Sequence, residues 1–139
     1  MKINYDKIME MMDSLGVLGG LKLPRAFSFA VVHNRRKIQP LYEEMYQQKM
    51  DIIKRYAKQD ESGNFIYRED ESGRKMYDFD SDVELYAYAN ELSDLRKIEQ
   101  EVEIMKIKEE DIDKCYDNPH YDILTPDQEY AIGWMIEEG

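Results

Sequence analysis

The N-terminal part of the chain places apolar residues at helical spacing. Over residues 4–15 they recur three and four positions apart, which predicts a short helix that ends at Gly16. The segment 16–23 begins with three glycines in five positions, and we expect a loop because glycine loses much backbone entropy in a regular element. An apolar stripe then predicts a long helix over about 24–58, with Pro24 in its first turn.

Pro40 interrupts the predicted long helix. A proline inside a helix removes a backbone hydrogen bond and clashes with the preceding turn, at a cost of about 3 kcal/mol. We expect a kink near residues 36–40 with a nearly continuous helix direction. The alternative is that two helices meet there.

A repeated turn pattern follows the long helix. The tetrapeptide Asp-Glu-Ser-Gly occurs at 60–63 and again at 70–73, and it suits a tight turn whose glycine takes a positive φ. Two short strands, 65–68 and 75–79, are predicted on either side of the second turn. Because an isolated hairpin is barely stable in water, it needs support, and 102–107 is the candidate third strand.

Two capping patterns predict helices in the C-terminal half. Ser81-Asp-Val-Glu84 opens a helix over about 82–100. Its apolar face is predicted to contain Val83, Leu85, Tyr86, Ala89, Leu92, Leu95 and Ile98. Residues 108–124 are acidic and predict an irregular loop, and Thr125-Pro-Asp-Gln128 then opens a final helix that carries Trp134.

These elements together predict an α+β fold that is mainly helical. A long kinked helix packs with a second helix, a small antiparallel sheet lies at one end, and the C-terminal helix closes the core. We expect one domain over residues 1–139. Its parts are an N-terminal helix and Gly-rich loop (1–23), the long helix (24–58), the β-hairpin (59–80) and a helix, strand, acidic loop and C-terminal helix (81–139).

The net charge excludes more classes of function than the amino-acid composition does. The 139 residues include 30 acids and 19 bases, and the net charge of −11 argues against a general nucleic-acid binder. Residues 1–58 carry a net charge of +5 and residues 59–139 a net charge of −16. The single cysteine forbids an intramolecular disulfide, and the longest apolar run is too short for a membrane-spanning helix.

Two groups of residues are similar to parts of catalytic or metal sites. Cys115 and His120 are close in sequence, but the surrounding carboxylates disfavour a thiolate. Asp78, Asp80 and Asp82 match the first half of a calcium loop whose glycine and closing glutamate are missing. A small metal-dependent hydrolase built on these five residues is one alternative. We expect no enzyme and no cofactor.

The acidic half offers a candidate partner-binding group. Asp78, Asp80, Asp82 and Glu84 lie at the predicted start of the second long helix. A dense group of carboxylates is able to mimic a phosphate backbone and to occupy the basic channel of another protein. An acidic surface that serves solubility alone is the alternative.

The long helix offers two further candidate contacts. Arg35, Arg36 and Lys37 have apolar neighbours and form either a docking patch for an acidic partner or a solvated face. Tyr42 and Met45 lie on the apolar stripe. A stripe that stays half exposed makes a homodimer or an assembly contact plausible.

Several spaced segments occur in one order along the chain. They are the basic run with Ile38-Gln-Pro40 and Tyr42-Glu-Glu44, the segment Ile53–Glu61 with Gly63-Asn64, Tyr77-Asp-Phe79, Glu101–Ile104, Leu124-Thr-Pro126 and Trp134–Glu138. In this order the chain resembles a family of small uncharacterised proteins encoded by tailed phages and prophages of Gram-positive bacteria. The family has no established activity, so the resemblance implies only the cytoplasm of an infected bacterium and a binding role.

The resulting hypothesis is a non-enzymatic phage accessory protein that binds another protein, with no membrane and no direct nucleic-acid contact. One target is a host defence or nucleic-acid enzyme that the acidic half inhibits by occlusion, and binding would then be salt-sensitive. The alternative is a phage virion or assembly component, with binding that depends on apolar positions and little on salt.

Overall fold

The computed structural model describes residues 1–137, and their internal contacts divide them into two compact units. Unit 1 contains Met1–Glu43 and the segment from Glu99 onward, and unit 2 contains Glu44–Ile98. That residues 1–139 form one domain stays a prediction. The architecture is α+β and mainly helical, as predicted, with a long helix packed on another helix.

The elements within residues 1–137 are as follows. The helices are α1 (Tyr5–Leu18), α2 (Arg25–Tyr56), α3 (Asp82–Lys97), α4 (Glu109–Asp117) and α5 (Pro126–Ala131), followed by a 3-10 turn (Gly133–Met135). The strands are β1 (Lys2–Ile3), β2 (Tyr67–Glu69), β3 (Lys75–Tyr77) and β4 (Gln100–Glu101). Two antiparallel pairs form, β1 with β4 and β2 with β3.

Helix α1 continues past the glycine that was predicted to end it. The Asn4 side chain accepts a hydrogen bond from the Lys7 amide at 3.0 Å and caps the first turn. The helix then passes through Gly16 and reaches Leu18, which is buried. Burying Leu15 and Leu18 on one face outweighs the penalty of about 1 kcal/mol for one helical glycine. The predicted loop over 16–23 is therefore wrong in its first turn.

Helix α2 is one element across Pro40. The alternative of two helices meeting there is wrong. Pro40 and Arg36 are both exposed, so water can reach the carbonyl of Arg36, which has no helical partner at position 40. Solvation of this carbonyl lowers the cost of the proline.

Asn34 and Trp134 make specific polar contacts in the core of unit 1. The side-chain amide of Asn34, which is fully buried, donates to the carbonyl of Met105 at 2.9 Å and accepts from the amide of Met105 at 2.8 Å. The indole of Trp134 donates to the Ser14 hydroxyl at 3.1 Å. Trp134 is buried as predicted, but it lies in the 3-10 turn that follows α5.

The predicted third strand, 102–107, does not join the hairpin. Strand β4, just before it, pairs with β1, and Ile107 forms a parallel bridge with Ile136. The Met1 carbonyl accepts from the amide of Val102 at 2.9 Å. Val102 and Ile107 are buried in unit 1, so burial brings this segment to the two chain ends.

A helix, α4, replaces part of the irregular loop predicted over 108–124. Its buried residues include Ile112 and Cys115, three positions apart, which is a weak helical signal in a short acidic segment. The carboxylate of Asp111 accepts from the Lys108 amide at 3.2 Å and closes the first turn.

The hairpin of unit 2 is built from two copies of one turn. Asp60 and Asp70 each use one carboxylate oxygen to accept backbone N–H bonds from residues two and four positions later, all at 2.9 Å. Gly63 and Gly73 take φ values of +83° and +82°, which confirms the predicted positive φ. The second turn joins β2 to β3, as predicted.

The segment that follows α2 supports the hairpin. Ala57 and Gln59 form antiparallel bridges with Phe79 and Phe65, respectively. The Phe79 ring also packs on Tyr88 of α3, with ring centroids 5.0 Å apart. Both contacts are local to unit 2.

Helix α3 packs on the C-terminal half of α2. The hydroxyl of Ser81 accepts from the Glu84 amide at 3.4 Å and caps the helix, as its sequence predicted. Leu95 is buried, and Arg55 of α2 contacts the carboxylate of Glu91 at 2.8 Å.

Candidate protein-interaction surface

The four acids predicted to bind a partner lie together where the hairpin meets α3. Asp78 and Asp80 follow β3, whereas Asp82 and Glu84 belong to the first turn of α3. The side chain of Asp80 is 77% exposed and that of Asp78 is 28% exposed. We call these four residues the acidic junction.

Lys58, two residues after the end of α2, partly neutralises the acidic junction. The Nζ of Lys58 lies 3.6 Å from a carboxylate oxygen of Asp78 and 3.9 Å from one of Asp80. Ion pairs at such exposed positions contribute about 0–1 kcal/mol to stability. The four carboxylates and one ammonium therefore leave a net negative surface. The first-turn acids are compatible with the positive end of the α3 dipole.

Two large apolar side chains stand beside these acids. Val83 is 73% exposed and Tyr86 is 66% exposed, one helical turn apart on α3. The sequence had assigned both to the packed face of the helix, and that prediction is wrong. Together with the acidic junction, Val83 and Tyr86 form what we call the α3 surface.

The reason for the error lies in the helical period. The positions of α3 that are buried or half-buried include Leu85, Tyr88, Leu92 and Leu95. Their spacing of three, four and three residues defines one stripe, and at 100° per residue Val83 and Tyr86 lie on the other side of the helix. This spacing was the sequence signal that would have identified the exposed pair.

The α3 surface has the chemistry to contact lysine and arginine side chains. Carboxylates attract the charged group, the aliphatic stem packs on Val83, and the ring face of Tyr86 attracts a cation. Tyrosine is enriched among the residues that contribute most of the binding energy at protein interfaces.

Fewer bases of the run Arg35-Arg36-Lys37 are available to a partner than the sequence indicates. The guanidinium of Arg35 donates to the carbonyl of Leu15 at 2.7 Å, at the end of α1. It also covers Gly19, where an added Cβ would lie 2.7 Å from one guanidinium nitrogen. Arg35 therefore has a structural contact, and the exposed bases of the predicted patch are Arg36 and Lys37.

The two predicted contacts on the apolar stripe of α2 differ in burial. Met45 is 3% exposed and belongs to the core, which leaves little surface for a partner. Tyr42 is half-buried. Tyr46, one turn after Tyr42, is 46% exposed, so exposed apolar side chains of unit 2 lie on α2 as well as on α3.

Oppositely charged groups from the two halves of the sequence pair within the chain. The Met1 ammonium lies 2.8 Å from the carboxylate of Glu101, and Arg55 contacts Glu91 at the same distance. Lys58 approaches the acidic junction. The charge asymmetry of the sequence is therefore partly cancelled in the fold.

The candidate catalytic residues do not form a site. Cys115 is 1% exposed, its thiol donates to the carbonyl of Asp111 at 3.8 Å, and burial raises its pKa, which disfavours the nucleophilic thiolate. His120 is exposed. Within residues 1–137, no three His, Cys, Asp or Glu side chains group in a way that would hold a metal ion.

No helix within the described residues has the length and apolarity needed to cross a membrane. Comparisons with known proteins give no further assignment. No family model, curated protein or solved structure matches the chain. The similarity to phage-encoded proteins stays a prediction from spaced residues.

Proposed function

We propose that the protein is a non-enzymatic phage accessory protein that binds a basic surface of a partner protein through the α3 surface. The observation that carries this proposal is the exposure of Val83 and Tyr86 beside an incompletely neutralised group of carboxylates. The proposed partner is a host defence or nucleic-acid enzyme in the cytoplasm of an infected bacterium, inhibited by occlusion of its basic channel.

Charge and apolar contact have separate roles in this proposal. The carboxylates of the acidic junction accelerate encounter with a basic partner and make association salt-dependent. Val83 and Tyr86 supply desolvated contact area, which slows dissociation. Both roles support one class of partner, a protein whose exposed bases would otherwise contact nucleic-acid phosphates.

The first experiment captures partners on the immobilised protein from host lysate, with and without phage infection. We expect a host nuclease or defence enzyme to be retained at low salt and released at high salt. A purified candidate is then titrated with the wild type and with Tyr86→Ser. The matched control is Tyr130→Ser, since Tyr130 is 91% exposed and lies in unit 1.

Loss of binding in Tyr86→Ser with full binding in Tyr130→Ser supports the α3 surface. Equal binding by both variants contradicts it. The alternative outcome is capture of virion or assembly proteins that stay bound at high salt and are lost with Tyr42→Ala. That outcome would support the assembly alternative and contradict the occlusion proposal.

The charge contribution is tested with two double substitutions of equal charge change. Asp80→Asn with Asp82→Asn removes two carboxylates of the acidic junction, and Asp113→Asn with Asp117→Asn removes two exposed carboxylates of α4. We expect the first variant alone to lower the association rate and the salt dependence. An equal effect of both variants would show that net charge, and not this surface, attracts the partner.

A further inference from the structure

Unit 1 contains a groove of about 590 Å³ that the proposed function does not use. It lies between the start of α2, the segment before α4, and α4 itself. The side chains that matter for its chemistry are Arg25, Phe29, Lys106, Asp111, Lys114 and Tyr121. Its volume falls within the range of about 300–1,000 Å³ that is typical of small-molecule sites.

Three cations and one carboxylate line the groove. Asp111 pairs with Lys114 at 3.6 Å. Neither Arg25 nor Lys106 forms an ion pair with any other described residue. The groove thus carries a net charge of about +2 on a protein of net charge −11. Arg25 and Lys106 are exposed, so solvent screens their mutual repulsion, and their positive charge makes the groove attractive to an anion.

Apolar and aromatic side chains form the rest of the lining. Phe29 is 59% exposed, so the face of its ring is accessible to a ligand in the groove. Its ring also stacks with His33, at a centroid distance of 6.4 Å. Tyr121 and Met105 add polarisable surface. A planar ring is the ligand group that such a lining accommodates best.

We propose that this groove binds a mononucleotide, with its phosphate near Arg25 and Lys106 and its base against Phe29. A phosphate monoester is a dianion near neutral pH, which matches the net charge of the groove. A nucleic-acid strand has the same chemical groups. The acidic protein repels a polyanion more strongly than a single nucleotide, so the proposal commits to the free nucleotide.

The test is calorimetric titration of the full chain with the four ribonucleoside monophosphates. We expect saturable one-to-one binding of at least one of them, with a dissociation constant below about 1 mM. The matching nucleoside and inorganic phosphate should each bind at least about tenfold more weakly, because each supplies half of the contacts. Absence of saturable binding by all four nucleotides overturns the proposal.

Variants locate the binding. Arg25→Gln with Lys106→Gln should weaken binding at least about tenfold, because two charge-assisted contacts to phosphate are lost. Arg68→Gln with Lys75→Gln is the matched control, since it removes two exposed cations from the hairpin in unit 2. Equal weakening by the two double variants would show attraction without a site and would overturn the proposal.

Two further titrations test whether the ligand is a free nucleotide or a strand end, and whether the Phe29 ring contacts the base. Phe29→Ala should weaken nucleotide binding about tenfold while leaving inorganic phosphate binding unchanged. No effect of this variant would overturn the placement of the base. A short 5′-phosphorylated oligonucleotide should bind no more tightly than the mononucleotide, and tenfold tighter binding would make the ligand a strand end. Because none of these titrations contains a protein partner, their outcome is independent of the α3 surface.

Discussion

Replacing Asn34 by alanine should destabilise unit 1 strongly. The side chain is fully buried and makes two hydrogen bonds, of 2.9 and 2.8 Å, to the backbone of Met105. Alanine leaves both the N–H and the C=O of Met105 without these partners. A buried unsatisfied group costs about 1–3 kcal/mol, so we expect a loss of about 2–4 kcal/mol in the free energy of unfolding.

Urea unfolding followed by tryptophan fluorescence measures this loss. Trp134 is the single tryptophan, is buried, and lies in unit 1, so its emission reports on the unit that contains Asn34. The control is Gln39→Ala, which removes an exposed amide from the same helix and should change stability by no more than about 0.5 kcal/mol. If Asn34→Ala matches this control, the two hydrogen bonds contribute little and the reasoning is wrong.

Asn34→Asp adds a pH dependence with a defined sign. An aspartate retains an acceptor for the Met105 amide, but its ionised form faces the Met105 carbonyl and is buried. Both effects raise its pKa in the folded state above the unfolded value. Its protonated form is therefore favoured by folding, and stability relative to the wild type should increase as pH falls from 7 towards 4. A difference that does not change with pH would contradict this sign.

Three further predictions concern single contacts. Arg35→Ala should destabilise unit 1 in urea unfolding more than Gly19→Ala, because it removes the hydrogen bond to Leu15, whereas the new Cβ of Gly19→Ala meets only the end of a flexible side chain; an equal loss would contradict this. Gly73→Ala should cost about 1–2 kcal/mol in thermal unfolding, since φ is +82° and no atom lies near the new Cβ, so a neutral result would show that the turn changes conformation. Alkylation of Cys115 should be slow in the folded protein and should accelerate at the urea concentration where Trp134 fluorescence changes, whereas rapid alkylation without urea would show that the thiol is accessible.

Local chemistry determined most of the elements. The two Asp-Glu-Ser-Gly segments predicted their turns because an aspartate acceptor and a glycine with positive φ act within five residues. The helix caps at Ser81 and Thr125 were also predicted from sequence, since each hydroxyl accepts a hydrogen bond from the backbone amide three residues later. The apolar stripe predicted helix α2 to within two residues at each end.

Burial decided what local propensity could not. Helix α1 continues beyond Gly16 because Leu18 reaches the core, and the segment 102–107 contacts the chain ends because its apolar residues are buried in unit 1. Such outcomes depend on partners far apart in sequence, whose contacts no short pattern specifies.

The candidate surfaces show the same division. The sequence placed the acids at the start of α3, because they adjoin the capping residue Ser81. It did not show by composition that Val83 and Tyr86 are exposed, although the spacing of the packed residues Leu85, Tyr88, Leu92 and Leu95 is present in the sequence. Nor did it join Arg25 and Lys106 in one groove, as they are brought together only when distant segments fold into unit 1. Sequence thus determined the local elements, and tertiary packing decided which side chains remain available for function.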